Sequence, residues 1–167
     1  MNLLTNGDFA DGLSGWQFVN GHWDLSSKPR VTPSPEGTAC QCDRDMNKRT
    51  GQWEGWPAGA EDRLWQDVAA TEAHSAALLS LTEIQHHDDG KAEIRLYGLE
   101  GGEPVLLWQR QSLLPDVPRA TSQSDWHINL YTVPLAQVYS AYRVEFYGYC
   151  GEGTVGWKFT NLGFEVS

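Results

Sequence analysis

Two segments in the second half of the sequence alternate apolar residues with aromatic and charged ones. They are KAEIRLYG, 91–98, and AYRVEFYGY, 141–149. Because successive side chains of a β-strand point to opposite faces, the apolar positions of each segment predict an inward face. The opposite face then carries these residues: Glu93, Arg95, Tyr97, Arg143, Glu145, Tyr147 and Tyr149.

This mixture of side chains suits the recognition of a sugar. Trp and Tyr rings offer flat apolar surface to the C–H face of a pyranose, and planar polar side chains reach its hydroxyl groups in pairs. We expect Gln85 and His87 on a neighbouring strand to extend the same surface. The alternative interpretation is an ordinary solvated sheet face with cross-strand charge pairs.

A second candidate cluster is GQWEGWPAG, 51–59, in which two tryptophans are three residues apart. Its glycines and proline predict a loop, and loops carry binding residues more often than the scaffold does. We therefore expect Trp53 and Trp56 to stack against a ligand. The alternative is that one of the two indoles folds over the edge of the protein and closes the core.

Catalytic and metal-binding motifs find little support in the sequence. HHDDG, 86–90, is predicted to form a hairpin turn, where neighbouring side chains diverge. Cys40, Cys42 and Cys150 do not have the spacing of a structural zinc site. The favoured interpretation is that they are buried, reduced cysteines that act as small apolar residues. The alternative is one distant disulfide, which is geometrically allowed and would leave one thiol over. There is no nucleophile elbow or phosphate-binding loop, and no two carboxylates are singled out for glycoside hydrolysis.

The charge balance argues against two classes of partner. The 167 residues include 12 Lys plus Arg and 22 Asp plus Glu, a formal net charge of −10. Such a surface repels nucleic acid phosphates and anionic lipids, so we expect neither as a partner. No apolar run has the length of a membrane span, and the first residues lack the order of a secretory signal. The length predicts one domain over 1–167, which we expect to be monomeric.

The elements that position these residues are predicted to be β-strands. A content of 8 Trp, 6 Tyr, 5 Phe and 17 Gly favours β-structure. Turns are predicted at 89–90, 100–103 and 151–153. The predicted strands are 2–4, 16–25, 38–43, 63–69, 77–85, 91–98, 104–110, 126–133, 141–149 and 155–166. This pattern predicts an all-β antiparallel sandwich, and a helix over 60–79 is the alternative that propensity alone allows.

The alternation within 126–133 assigns its side chains to two faces. Trp126, Ile128 and Leu130 share one face, and His127, Asn129 and Tyr131 share the other.

The opening, NLLTNGDFADGLSGWQF at 2–18, is the most distinctive stretch of the sequence. Asn6-Gly7-Asp8 predicts a turn in which Asn or Gly takes a positive φ. Phe9 is then expected to enter the core, and two later glycines permit a second tight loop. Trp16 is predicted to close one end of the sandwich.

This opening closely resembles the start of the jelly-roll carbohydrate-binding modules of families four, nine and twenty-two. EGTACQCD, RLWQDVA, DWHINLYTV and VGWKFTNLGFEV resemble later strands of those modules, so the resemblance covers most of the chain, although only the opening is specific. It implies a galactose-binding-domain-like jelly roll that binds carbohydrate without catalysis. It also implies a secreted or cell-surface location, as a module of a glycan-active or surface protein.

Many members of that superfamily hold a calcium ion between the first turn and the last strand, and calcium requires oxygen ligands. This sequence departs from their pattern at two positions, where Ala10 and Thr160 stand in place of carboxylate residues. Asp8, Asp11 and Glu36 remain as carboxylates for a structural calcium.

Two other functions are compatible with the sequence. A structural or adhesive module of a surface or virion assembly would turn its exposed aromatic residues towards another protein. A small glycan hydrolase would use a pair of the abundant carboxylates.

Overall fold

Antiparallel strand pairing organises the chain, which a computed structural model describes over residues 1–26, 38–71, 73–85, 89–111 and 126–167. The described residues form eleven strands in two sheets, which confirms the predicted all-β sandwich. The strands are β1 (Gln17–Phe18), β2 (Asp24–Ser26), β3 (Ala39–Asn47), β4 (Gln52–Gly55), β5 (Glu61–Ala69), β6 (Ala76–Gln85), β7 (Gly90–Leu99), β8 (Val105–Arg110), β9 (His127–Pro134), β10 (Ala141–Cys150) and β11 (Val155–Val166).

The two sheets combine strands that are distant in sequence. Sheet A has the order β1-β5-β10-β7-β8, and sheet B has the order β2-β3-β11-β6-β9, with β4 paired to β3. β10 is the central strand of sheet A, and it pairs with β5 on one side and β7 on the other over almost its whole length. Within the described ranges, no helix is long and apolar enough to cross a membrane.

The core lies between the sheets, where the predicted inward faces of β7 and β10 meet sheet B. Val144 and Phe146 of β10 are fully buried and pair with Leu96 and Ile94 of β7. The Phe146 ring stacks on Phe159 of sheet B, with ring centroids 4.6 Å apart and an interplanar angle of 11°. Aromatic packing therefore joins the two sheets at the centre of the sandwich.

The opening turn adopts the predicted conformation. Asn6 has a φ of 50°, and its Nδ2 donates hydrogen bonds to the carbonyl oxygens of Gly12, at 3.0 Å, and Ser14, at 2.9 Å. The Trp16 Nε1–H donates to the Asn6 carbonyl at 3.1 Å. Phe9 and Trp16 are both buried, which confirms their predicted places in the core.

The first third of the chain differs from the predicted strands. Residues 2–4 do not form a strand, although the Leu3 N–H donates to the Phe164 carbonyl at 2.7 Å. The predicted strand 16–25 is divided into β1 and β2. The division follows from the buried Asp62 carboxylate, which accepts N–H groups from the intervening loop: Val19, Asn20 and His22.

Two further alternatives are settled by the strand assignments. The loop expected over 51–59 contains β4, which pairs with β3 as a hairpin. The helix considered over 60–79 is replaced by β5 and β6, because both segments find pairing partners in the sheets.

The two faces of β9 are those expected, but its apolar face points to solvent. Ile128 and Leu130 are 65% and 62% exposed, whereas Trp126 is buried. The other face of β9 turns Asn129 and Tyr131 towards a buried ion pair, so polar side chains take the inward positions.

That ion pair joins the two sheets at one edge of the sandwich. Both terminal nitrogens of Arg110, on β8, donate to the Glu83 carboxylate on β6. The same carboxylate accepts the Trp157 Nε1–H and the Asn129 Nδ2–H, each at 2.8 Å. Glu83 and Arg110 are both buried, and such a pair is tolerated only where each charge has partners.

Removing the charge of Glu83 leaves the Arg110 guanidinium buried without its counter-ion. We expect Glu83→Gln to lower the free energy of unfolding by about 3 kcal/mol, measured by urea denaturation. Glu165→Gln is the control, because the Glu165 side chain is 46% exposed and its loss should cost under about 0.5 kcal/mol. Equal effects of the two substitutions would contradict the assigned role of the ion pair.

Candidate functional site

The outer face of sheet A gathers aromatic and charged side chains from three adjacent strands. β5, β10 and β7 lie side by side, with Glu145 in register with Trp65 on one side and Arg95 on the other. We call this surface the sheet A face. Its residues are Glu61, Arg63, Trp65 and Asp67 of β5, Arg143, Glu145, Tyr147 and Tyr149 of β10, and Glu93, Arg95 and Tyr97 of β7.

Most of the binding residues predicted from the sequence meet on this face. They are Arg95, Tyr97, Arg143, Glu145, Tyr147 and Tyr149. They come together because β7 and β10 are neighbours, so that their outward positions pair across the ladder. Their role in binding a ligand stays a prediction.

Arg95 is the centre of a hydrogen-bonded network on the sheet A face. Its guanidinium donates to Glu145 Oε1 at 3.1 Å and to the Glu93 carboxylate, and it lies 4.7 Å from the centroid of the Tyr147 ring. The Tyr97 hydroxyl donates to Glu145 at 3.4 Å. Burial alone would lower the pKa of Arg95, but the bonds to Glu93 and Glu145 raise it above its ordinary value. Arg95 is thus a fixed cation that lies over the Tyr147 ring and shares the Glu145 carboxylate with the Tyr97 hydroxyl.

Arg143 forms a second fixed group beside this network. Its Nε donates to Asp67 Oδ1 at 2.7 Å and its Nη2 to Oδ2 at 2.9 Å, a bidentate geometry. The guanidinium lies 5.1 Å from the centroid of the Trp65 ring. These contacts tie β5 to β10 across the face and hold the half-buried indole of Trp65 in place.

Sequence reasoning missed Trp65, although it recognised RLWQDVA as a strand. The inward residues of β5 are Asp62, Leu64, Gln66 and Val68. Two of them are polar, so the strand does not show a simple alternation of apolar and polar residues in its sequence. The signal that would have found Trp65 is the pairing of β5 with β10, which puts this indole next to Glu145.

Tyr147 lies beside a cavity at the β1 side of the sheet A face. The cavity has a volume of about 200 Å³ and is lined by Val19, Asn20, Glu61, Asp62, Arg63 and Tyr147. The Tyr147 hydroxyl donates to Glu61 Oε2 at 2.6 Å. Burial and this hydrogen bond raise the pKa of Tyr147 to about 12. The phenol therefore stays a neutral donor over the whole physiological range.

The two tryptophans of the 51–59 cluster have different environments. Trp56 is 2% exposed and packs against Trp23, with ring centroids 5.0 Å apart. This burial corrects the expectation that Trp56 stacks on a ligand, because its ring closes the core. Trp53 is 40% exposed on β4, with the Arg44 guanidinium 4.4 Å from its ring centroid. Trp53 belongs to the β3–β4 hairpin and does not share the sheet A face.

The remaining predicted ligand-binding residues do not join this surface. Gln85 is buried at the end of β6 in sheet B, where it pairs with Trp157, so the expectation that it extends the sheet A face is corrected. His87 lies outside the described residues.

Of the predicted calcium ligands, the structure describes Asp8 and Asp11, and these two do not belong to a metal-binding group. Asp8 Oδ1 accepts the Ala10 N–H at 3.3 Å, and Glu36 lies outside the described residues. In the part of the chain that the structure describes, no group of three or more His, Cys, Asp or Glu has the geometry to hold a metal ion. The Asn6 amide closes the opening loop with hydrogen bonds to two backbone carbonyls, the kind of oxygen that calcium would require. Among the described residues, Asp8 and Asp11 alone do not supply the set of carboxylates that a calcium ion requires.

Comparison with known proteins reveals similarity of structure alone. No protein-family profile matches the chain, and no curated protein matches it in sequence. The structure of TmCBM61 in complex with beta-1,4-galactotriose is similar at a TM-score of 0.66 and 11% identity, over 100% of this chain and 99% of that chain. Family 16 Carbohydrate Binding Module-2 is similar at a TM-score of 0.57 and 14% identity, over 98% and 99% of the two chains.

An enzyme domain is also among the similar structures. The enzymatically active domain of tailspike protein 4 from Bacteriophage CBA120 gives a TM-score of 0.64 at 12% identity. The alignment covers 99% of this chain but 21% of the tailspike chain. At identities this low, the similarity shows a shared fold.

The raised pKa of Tyr147 is open to direct titration. An unfolded tyrosine loses its proton near pH 10, whereas folded Tyr147 keeps it to about pH 12. Between these values the unfolded chain binds fewer protons, so Tyr147 makes stability fall as the pH rises above about 10. The tyrosinate absorbance of the wild type minus that of Tyr147→Phe isolates the signal of Tyr147, and we expect this signal to titrate near pH 12. In Glu61→Gln, we expect the Tyr147 signal to titrate at a lower pH. A Tyr147 signal near pH 10 would contradict the assignment.

Chelation tests the conclusion about calcium. We expect an excess of EDTA to leave the melting temperature of the full chain unchanged, since the opening loop is closed by the Asn6 amide. Differential scanning calorimetry with and without added calcium measures this. A melting temperature that falls with EDTA and recovers with calcium would contradict it.

Proposed function

We propose that this chain, whose sandwich has the fold of jelly-roll carbohydrate-binding modules, binds a glycan on the sheet A face and does not cleave it. The observation that carries the proposal is the arrangement of three aromatic rings and two fixed guanidinium groups on three adjacent strands. The rings are those of Trp65, Tyr97 and Tyr147, and the guanidinium groups are those of Arg95 and Arg143.

Rings and polar groups have complementary tasks on such a surface. A half-buried ring keeps part of its area open for the C–H face of a pyranose, and Trp65, Tyr97 and Tyr147 are all half-buried. The side chains of Arg95 and Arg143 are 19% and 25% exposed, so each retains N–H groups within reach of a ligand hydroxyl. The face therefore combines apolar contact with directional hydrogen bonding.

The ion pairs prepare this surface before a ligand arrives. Arg95 and Arg143 are each held by carboxylates in the free protein. Less side-chain entropy is then lost on binding, which improves the affinity obtained from each contact.

The carboxylates of the sheet A face favour binding over hydrolysis. A glycosidase needs one carboxyl group to protonate the leaving oxygen and a second to attack or to activate water. Here each carboxylate accepts a hydrogen bond from a neighbour on the same face. Glu93 and Glu145 bond to Arg95, Asp67 bonds to Arg143, and Glu61 bonds to Tyr147. Their task in this arrangement is to orient the arginines and the phenol.

The setting that we propose is outside the cell or at its surface, where the chain acts as a monomeric binding module of a glycan-active or surface protein. The net charge of −10 supports a ligand that is neither nucleic acid nor an anionic membrane. The fold shared with carbohydrate-binding modules supports the same ligand class.

Binding is tested by a screen of soluble and insoluble polysaccharides, followed by calorimetric titration of the best ligand. We expect Trp65→Ala and Tyr97→Ala each to weaken binding roughly tenfold or more, since each removes a ring from the proposed surface. Thermal melts of each variant verify that it is folded.

Trp53→Ala is the matched control, because it removes an exposed ring from the β3–β4 hairpin. We expect it to bind as the wild type does. Loss of binding in Trp53→Ala, with binding retained in Tyr97→Ala, would move the site to the hairpin. Binding to no glycan in the screen would overturn the proposed function and favour a protein-interaction module.

A further inference from the structure

Two cysteines face each other across the core of the sandwich. Cys42 belongs to β3 of sheet B, and Cys150 is the last residue of β10 in sheet A. Their Sγ atoms are 3.5 Å apart, and both residues are fully buried. The two sulfur atoms are therefore in van der Waals contact across the interface between the two sheets.

We propose that Cys42 and Cys150 form a disulfide bond between the two sheets when the chain folds in an oxidising environment. A disulfide has a sulfur–sulfur distance of about 2.05 Å, so the two atoms must approach by about 1.5 Å. We expect rotation of the two cysteine side chains to supply this movement. The bond is independent of the sheet A face, which lies on the opposite side of β10.

A glycine beside the pair lets the Cys42 side chain lie against β10. Gly148, two residues before Cys150 on the same face of β10, lies against Cys42. A Cβ at Gly148 would be 3.2 Å from the Cys42 Sγ, which is tighter than ordinary van der Waals contact. The missing methyl group therefore lets the Cys42 side chain reach β10.

Cys40, the third cysteine, allows a specific disulfide to be distinguished from general oxidation of the thiols. Cys40 is also fully buried and lies two residues before Cys42 on β3, so it shares the inward face. Among the described contacts, the one between sulfur atoms joins Cys42 to Cys150. The expected product is one disulfide and one free thiol at Cys40.

The oxidation proceeds by thiol–disulfide exchange with a small-molecule disulfide. One protein thiolate attacks the small disulfide and releases a thiolate; the second protein thiolate then attacks the mixed disulfide and releases another. Two protein thiols are oxidised, and one external disulfide is reduced to two thiols. Burial raises the pKa of the Cys42 thiol, so the thiolate is scarce in the folded state and exchange takes place during folding.

A bond between these positions closes a loop with a sequence separation of 108 residues. Closing a long loop restricts the unfolded chain and stabilises the folded state, so we expect the oxidised protein to melt about 10 °C above the reduced protein. It also anchors the end of β10, one residue after Tyr149.

The test uses the full chain, reduced, unfolded and refolded in a buffer of reduced and oxidised glutathione. Free thiols are alkylated under denaturing conditions, and peptides are mapped by mass spectrometry. We expect alkylation at Cys40 alone, a crosslinked peptide containing Cys42 and Cys150, and a melting temperature about 10 °C higher that reverts on reduction. Three alkylated cysteines, or a crosslink that includes Cys40, would overturn the proposal.

Two variants separate the crosslink from other effects of oxidation. Cys40→Ala should keep both the crosslink and the shift in melting temperature, whereas Cys150→Ala should lose both. The peptide map of the wild type decides the matter even where a variant fails to fold. Glycan binding by the reduced protein is measured separately, so failure of this proposal leaves the proposed function intact.

Discussion

The alternation of side chains along β10 is the constraint on which the rest of the structure depends. Because β10 is the central strand of sheet A, a shift of one residue in its register would exchange its two faces. Its inward side chains pack on the aromatic core against sheet B, and Val144 and Phe146 are fully buried there. The cost of exposing them fixes Arg143, Glu145, Tyr147 and Tyr149 on the outer face. Core packing and the candidate site are therefore two consequences of one strand.

At the edges of the sandwich, where the apolar core ends, polar groups hold the loops and the sheets together. Asp62 holds the loop between β1 and β2 through backbone N–H groups, and the Glu83–Arg110 pair closes the side formed by β8 and β6. Each charge has several hydrogen-bond partners, although the buried Nε of Arg110 has none. On the sheet A face the same kind of pairing is partly exposed at the arginines, whose side chains are 19% (Arg95) and 25% (Arg143) exposed, whereas Glu93 and Glu145 are buried. There it fixes the direction of the side chains.

The sequence predicted the parts of the site that follow from the alternation of residues within a single strand. β7 and β10 alternate cleanly, so the outward positions of both strands were identified correctly. Trp65 was missed because its strand has polar inward residues whose partners lie far away in sequence. Gln66, for example, accepts the Thr5 N–H at 2.8 Å and donates to the Gly15 carbonyl at 3.2 Å. Contacts between residues so far apart in the sequence produce no recognisable pattern within the strand itself.

Tertiary contacts also explain one expectation that proved wrong and one orientation that the sequence left open. Trp56 was expected at the surface because it lies among glycines and a proline, yet the packing of Trp23 against it encloses the ring. The apolar face of β9 points to solvent because Asn129 and Tyr131 are needed by the Glu83–Arg110 pair inside. In both cases a partner distant in sequence determines which side is buried.

The central claim is that a glycan contacts the outer side of sheet A, and chemical-shift mapping by nuclear magnetic resonance tests it most directly. An oligosaccharide from the best-bound polysaccharide is titrated into the isotope-labelled chain, and backbone amide shifts are followed. The account predicts saturable shifts concentrated on β5, β7 and β10, including the amides around Trp65, Tyr97 and Tyr147. Shifts confined to the β3–β4 hairpin or to sheet B would contradict it.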